Sequence, residues 1–192
     1  SAFGKDNSTI LWDVSTSQPL HKLDDLYKFF TQYNQVSTAF SPGGRTLAFA
    51  DDRDALVLLW DLVASRLLGL PLPNETSGVV SVAFSPDGMT LAVGLSQGAG
   101  AIALWDIPTR KLQGQLRLPA GAYQHGFYPL RGLIFSLDGK ILASHDDKTV
   151  FLWDVTSRQL LDQRLTMQWG GVGRVAFSPD GTILASGSES QS

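Results

Sequence analysis

The chain has 192 residues, 43% apolar and 17% charged, which is material for one packed domain or part of a larger repeating one and carries no signature of disorder. Fifteen Lys and Arg against eighteen Asp and Glu leave a net charge of -3 with the signs interspersed, so nucleic acid and anionic membrane surfaces are not expected partners. The absence of cysteine removes disulfides, thiolate metal sites and cysteine nucleophiles, and is compatible with the cytoplasm, the expected location. No apolar run approaches the 18 or more residues of a membrane span. The first residue is Ser1 rather than Met, and the expectation is a fragment or a processed chain.

In chain order, residues 1–13 read as the end of one strand and the whole of the next, closing on LWDV at 11–14. That string returns as LWDL at 59–62, LWDI at 104–107 and LWDV at 152–155, with the Trp residues 48, 45 and 48 apart. A second string interleaves with it: FSPGG from Phe40, FSPDG from Phe84, FSLDG from Phe135 and FSPDG from Phe177, at steps of 44, 51 and 42. A third follows each of these, LAF at 47–49, LAV at 91–93 and LAS at 142–144 and 184–186. In FSPDG the Ser opens a tight turn, the Pro presets φ at the next position and the Gly accepts a left-handed backbone, so each copy predicts a hairpin. The strands entering these hairpins lie at 36–40, 79–84, 131–135 and 173–177. The stretches at 55–62 and 101–107 are almost continuously apolar, as strands covered on both faces are. Residues 111–117 mix Gln, Arg and Lys with Leu, which suits an exposed outer strand. Each unit thus runs inner hairpin, buried strand, polar outer strand.

Two interleaved motifs at one period resemble the WD-repeat family, and the likeness covers essentially all 192 residues. It implies an all-β fold, a WD-repeat β-propeller with four blades' worth of four-stranded antiparallel sheets, forming a partial ring or half of a larger one. The whole of 1–192 is then one propeller region with units at approximately 1–23, 35–70, 79–116, 131–164 and 173–192, the first and last being parts of split or truncated blades. Trp12, Trp60, Trp105 and Trp153 are expected to fill the space between blades and to donate their N–H across the turn. Asp6, Asp54 and Asp147, each six residues before a repeat Trp, stand where the resemblance places an Asp that braces the turn between the second and third strands. The third unit has Ala99 there, and the Gly-His pair of the family is absent from all four units, so the bracing network is expected to be incomplete.

Propellers close with typically four to eight blades, and four is few for this family. A portion of a larger propeller is therefore expected. An uncovered blade face exposes about 400 Å² of apolar surface, worth about 10 kcal/mol at ~25 cal/mol per Å², and further repeats, a second copy of the chain or self-closure would cover it.

No assembled catalytic set accompanies the repeat. Gly94, Ser96 and Gly98 match GxSxG, but a nucleophile elbow needs a helix after the Ser, and a strand is predicted there. His145, Asp146 and Asp147 lie together in a turn between strands, where a solvated turn competes with a metal site. No metal and no cofactor is expected. The sequons at Asn7 and Asn74 matter only for a secreted protein.

Departures from the repeat concentrate in the connections at 24–33, 71–78, 119–130 and 166–171, which the resemblance places on one face of the disc beside the turns of Asp51 and Asp52. Tyr27, Phe30, Tyr33, Tyr123, Phe127, Tyr128 and Trp169 there, with Asp51 and Asp52, suit a peptide carrying basic and apolar residues. A second reading has these aromatics fold back to cap blades that have lost their bracing His. The functional expectation is a non-catalytic platform for a protein or peptide partner. Its units resemble those of large bacterial multidomain proteins in which a propeller is joined to a signalling module such as an NTPase or kinase. The alternative is a propeller enzyme of hydrolase or lactonase type, which would need a ring of carboxylates, His or metal ligands on the inner strands.

Overall fold

A computed structural model describes residues 9–23, 36–51, 56–68, 72–73, 78–96, 101–119, 130–167 and 170–189, and among them every regular element is a β-strand. The chain divides into two compact units, Ser1–Gln35 and Val36–Ser192.

In the first unit β1 (Thr9–Asp13) pairs antiparallel with β2 (Gln18–Leu23). Asp13 accepts the amides of Ser15 at 2.7 Å and Thr16 at 3.1 Å, which closes the turn between them. Trp12 is 48% exposed, unlike the other three repeat tryptophans. The expectation that it is core is corrected: among the described residues its sheet has only two strands, with no inner hairpin beside it.

The second unit repeats one design. The first sheet runs β3 (Val36–Phe40), β4 (Thr46–Asp51), β5 (Leu56–Asp61) and β6 (Arg66–Leu67), with β7 (Leu72–Pro73) also paired to β5. The next is β8 (Val79–Phe84), β9 (Thr90–Leu95), β10 (Ala101–Asp106) and β11 (Lys111–Arg117), and the third is β12 (Arg131–Phe135), β13 (Ile141–His145), β14 (Thr149–Asp154) and β15 (Gln159–Thr166). A hairpin of β16 (Gly171–Phe177) and β17 (Leu184–Glu189) follows. All pairings are antiparallel and, apart from that of β7 with β5, join chain neighbours, so each sheet is a meander that the three short motifs punctuate.

The motifs also set which side chains face which neighbour. In β8 to β10, Phe84 pairs with Leu91 and Leu91 with Trp105, putting these large groups on one face. Ala83, Ala92 and Leu104 fall on the other by the two-residue alternation of strands. The first face packs on Ala48, Ala50, Val57 and Leu59 of the preceding sheet. The second receives Leu133, Phe135, Leu142, Phe151 and Trp153 of the following one. Large residues of one sheet thus seat on the small Ala pair of the sheet before it. Val172, Val175, Phe177 and Leu184 continue the pattern against Ala143 and Val150. Each fully buried Leu or Phe in these layers contributes about 1.5–3 kcal/mol. Hydroxyls tie the inner strands together as well: Ser37 Oγ accepts the Val82 amide at 3.1 Å, and Ser81 Oγ accepts the Leu133 amide at 3.3 Å. This all-β architecture of four-stranded antiparallel sheets stacked face to face is that of propeller blades.

Candidate functional site

Because consecutive strands are antiparallel, the hairpin turns of FSPDG and the turns after LWD emerge at one end of the blades. The turns between second and third strands and the connections between blades emerge at the other. The first may be called the turn end, the second the loop end.

The turn end is built by repeated hydrogen bonds. The Ser carbonyl of each FSPDG accepts the Gly amide three residues on, at 2.8–2.9 Å, with Gly44, Gly88, Gly139 and Gly181 all at φ between 64° and 72°. Each Ser hydroxyl also accepts the amide five residues on, at 2.9–3.0 Å, at Thr46, Thr90, Ile141 and Ile183. Asp87, Asp138 and Asp180 then accept hydrogen bonds from that hydroxyl and from the amide of Met89, Lys140 or Thr182. The first copy has Gly43 at this position. These bonds favour the charged carboxylate and hold all three below the ordinary aspartate range, the Ser hydroxyl being the largest cause in each. The Asp of each LWD does the same for the next turn. Asp61 is lowered chiefly by the Ala64 amide, Asp106 by the Thr109 hydroxyl and Asp154 by the Ser157 amide.

The LWD turns share one further feature that the sequence reading missed. The fourth residue after each Asp is left-handed and not glycine: Ser17, Ser65, Arg110 and Arg158, at φ 50–58°. The fixed offset from an Asx-turn aspartate was the available signal.

At the loop end, Tyr27, Phe30, Tyr33, Asp52, Tyr123, Phe127, Tyr128 and Trp169 lie outside the described residues, as do Asp6 and Asp54. Asp51 closes β4 opposite Val36. Asp147 lies in the β13–β14 turn, but the amides of Lys148 and Thr149 are held by Asp146 Oδ1, at 2.8 and 2.7 Å. Bracing in this short turn falls to Asp146. Asp147 instead stands 3.9 Å from Arg131 at the start of β12, and its carbonyl accepts the Val172 amide of the next hairpin at 2.7 Å.

The same turn buries His145, whose Nδ1 lies 2.9 Å from the Asp146 carbonyl oxygen and therefore donates to it. Its Nε2 lies against Gly132, at φ +58°, where an added Cβ would meet it at 2.3 Å. Beside it Trp153 Nε1 donates to Ser144 Oγ at 2.9 Å, the bond across the turn that the repeat predicts. The register-equivalent slots, two residues after the partner of the repeat Trp, hold Phe49 opposite Leu58 and Val93 opposite Ala103, so those sheets carry no hydroxyl acceptor there. Among the described residues no group of three or more His, Asp and Glu is placed to hold a metal ion. Ser96 of the GxSxG string follows β9, its amide donates to the Gly78 carbonyl at 2.9 Å, and the next described element is the strand β10. Among the described residues no helix follows Ser96, as a nucleophile elbow requires. No helix among the described residues is long and apolar enough to cross a membrane.

The family model for "WD domain, G-beta repeat" matches residues 69–106, 122–154 and 163–192, more than half of the chain. The chain belongs to the WD-repeat family. Two of the three matched segments end on the Asp of LWD, at Asp106 and Asp154, so a WD sequence unit begins in the loop-end connection and stops one strand short of the blade. Among curated WD-repeat relatives, "WD repeat-containing protein SL1-17" of Schistosoma mansoni is 31% identical over 96% of this chain and 56% of its own length. "Guanine nucleotide-binding protein subunit beta" of Arabidopsis thaliana is 25% identical over 95% of this chain and 48% of its own. "WD repeat and SOCS box-containing protein 1" of Mus musculus is 32% identical over 66% of this chain and 30% of its own. The chain spans about half the length of the first two.

Proposed function

We propose that this chain is a non-catalytic platform that binds a protein or peptide partner through the loop end of its WD-repeat blades. The observation that carries the reading is the contrast between the ends. Turn-end hydrogen bonds recur copy after copy, whereas the connections at 24–33, 71–78, 119–130 and 166–171 share no motif and hold all four tyrosines and Trp169. A scaffold that keeps its turns and varies its loops is a scaffold that works through the loops. The name of one relative, a guanine nucleotide-binding protein subunit beta, points in the same direction, a subunit being by name part of a protein assembly. Tyr27, Phe30, Tyr33, Tyr123, Phe127, Tyr128 and Trp169 supply the anchors in this reading, and Asp51 and Asp52 favour basic residues in the partner. The same reading makes the chain part of a larger signalling or regulatory protein acting in the cytoplasm; reading the flanking coding sequence and imaging the tagged parent protein test those two points.

Replacement of Tyr27, Phe30, Tyr128 and Trp169 by Ala, followed by quantitative affinity capture, tests the platform itself. The reading expects partners held by the natural chain to be lost from a variant that melts at an unchanged temperature. Unchanged capture excludes the loop end. Stoichiometric bound metal, or turnover in a hydrolase and lactonase panel, excludes the non-catalytic role.

A further inference from the structure

One ionisable side chain lies buried at the loop end and has no role in the platform reading. His145 closes β13 and is 3% exposed. Its Nδ1–H is committed to the Asp146 carbonyl, so a further proton must enter at Nε2. That nitrogen lies against Gly132, in space that an added Cβ would fill. Among the described residues nothing accepts a hydrogen bond from Nε2.

The charged groups on the elements around it are Arg131 on β12, Asp146, Asp147 and Lys148 in its own turn, Arg174 on β16 and Glu189 at the end of β17. β14 contributes none short of Asp154 at its far end. Asp146 Oδ1 holds the Lys148 and Thr149 amides. Asp147 stands by Arg131, which is itself the cross-strand partner of His145. An imidazolium here would be a buried charge whose new N–H meets no carboxylate among the described side chains.

The turn that follows His145 ties several elements together. The Asp146 amide donates to the Thr149 carbonyl at 3.0 Å, the Lys148 carbonyl accepts the Met167 amide after β15 at 2.9 Å, and the Asp147 carbonyl accepts the Val172 amide of β16 at 2.7 Å. We propose that His145 is an acid-sensitive latch on this turn. Neutral, it keeps the turn closed. When the turn opens, water reaches Nε2, a proton is taken from solvent, and reclosure must expel it. The opened turn thus binds one proton more than the closed one, so opening grows as pH falls below the ordinary histidine range, about 6.5. Histidine is the one side chain present that ordinarily changes charge between about pH 5 and 8. The latch concerns the conformation of the loop end itself and stands whether or not a partner binds there.

Residue-resolved hydrogen exchange from about pH 7.5 to about pH 5.5, corrected for the intrinsic pH dependence of exchange, tests it. The natural chain is compared with His145→Gln, whose side chain stays polar and takes up no proton. In the natural chain the protection of the Thr149, Met167 and Val172 amides is expected to fall by up to about tenfold over the last pH unit, one proton being gained per opening. The Ile107 amide, at the turn end of the preceding blade, is expected to keep its protection, and His145→Gln to lose the pH dependence at all the turn amides. Protection that stays constant in the natural chain overturns the proposal, as does a fall shared by His145→Gln or by Ile107. Should His145→Gln fail to fold, His21→Gln/His125→Gln leaves His145 as the only histidine of the chain's three. Acid loss retained at the turn amides then supports the latch, and its disappearance overturns it.

Discussion

The blade β8 to β11 and the blade β12 to β15 are built from the same three motifs and still solve the same position in two ways. The first is apolar at its second strand: Val93 sits where the tryptophan N–H would find a hydroxyl, and Ser81 on the inner strand spends its own hydroxyl on the next blade. The second is polar: Ser144 takes the Trp153 N–H, His145 fills the space beside it, and Gly132 stands in the slot of Ser81 because a Cβ there would strike the imidazole. One blade is tied outward to its neighbour and the other inward to itself. The comparison teaches that the repeat demands large apolar groups on one face and small ones on the other, while the polar filling between them is exchangeable as a set and not residue by residue.

The largest effect is expected at the centre of that difference. Gly132→Ala adds a methyl at 2.3 Å from His145 Nε2 and strains a left-handed backbone, and is expected to destabilise by about 3 kcal/mol in chemical denaturation. Ser81→Ala at the same motif position is expected to remove only about 1 kcal/mol, the Leu133 amide losing one long hydrogen bond. Equal losses at the two sites would show that the blades do not differ as described. Trp153→Phe leaves Ser144 buried without its donor, and is expected to cost about 2 kcal/mol more than Trp105→Phe. Adding Ser144→Val, which copies Val93, is expected to recover about half of that difference; a double-mutant cycle with no coupling contradicts the account.

A smaller, shared effect concerns the turn-end carboxylates. Their folded pKa values lie below the ordinary 3.8, so they add stability that is present above that value and lost as pH falls through the folded pKa. Melting temperature is expected to drop on acidification below about pH 4, with a shallower drop in Asp87→Asn and Asp138→Asn than in the natural chain. A parallel fall in all three would remove the carboxylates from the account. Smallest is Ser65→Gly, which relieves a left-handed backbone at φ 50° and is expected to stabilise by about 0.5 kcal/mol.

What the sequence made legible follows from what period and turn chemistry encode. The inner strands at 36–40, 79–84 and 131–135 lie where the motifs place them, because each runs into a turn whose Ser and Gly have fixed geometric duties, and the outer strand at 111–117 lies where its mixed polar and apolar composition places it. The third strands stop at Asp61 and Asp106, one residue early, since the Leu62 and Ile107 amides are claimed by the adjoining turn. Less legible were contacts inside a blade that its motifs do not carry. Nothing in the string around Gly132 announces a histidine thirteen residues on, and the assignment of bracing to Asp147 rested on its distance from Trp153 when the shortened turn hands that task to Asp146. The left-handed residues after LWD went unread because none of the four is glycine, the residue that marks such a backbone in a sequence. For the interface, the sequence names aromatic residues in variable connections, and no local pattern says which of them cap blades and which meet a partner.

Hydrogen exchange with mass-spectrometric readout, on the chain alone and saturated with a partner retained in the capture experiment, tests the central claim most directly. The account predicts slowed exchange in peptides covering 24–35, 71–78, 119–130 and 166–171, with the hairpin turns at 41–46, 85–90, 136–141 and 178–183 unchanged. Protection confined to those turns, or none anywhere at saturation, would contradict it.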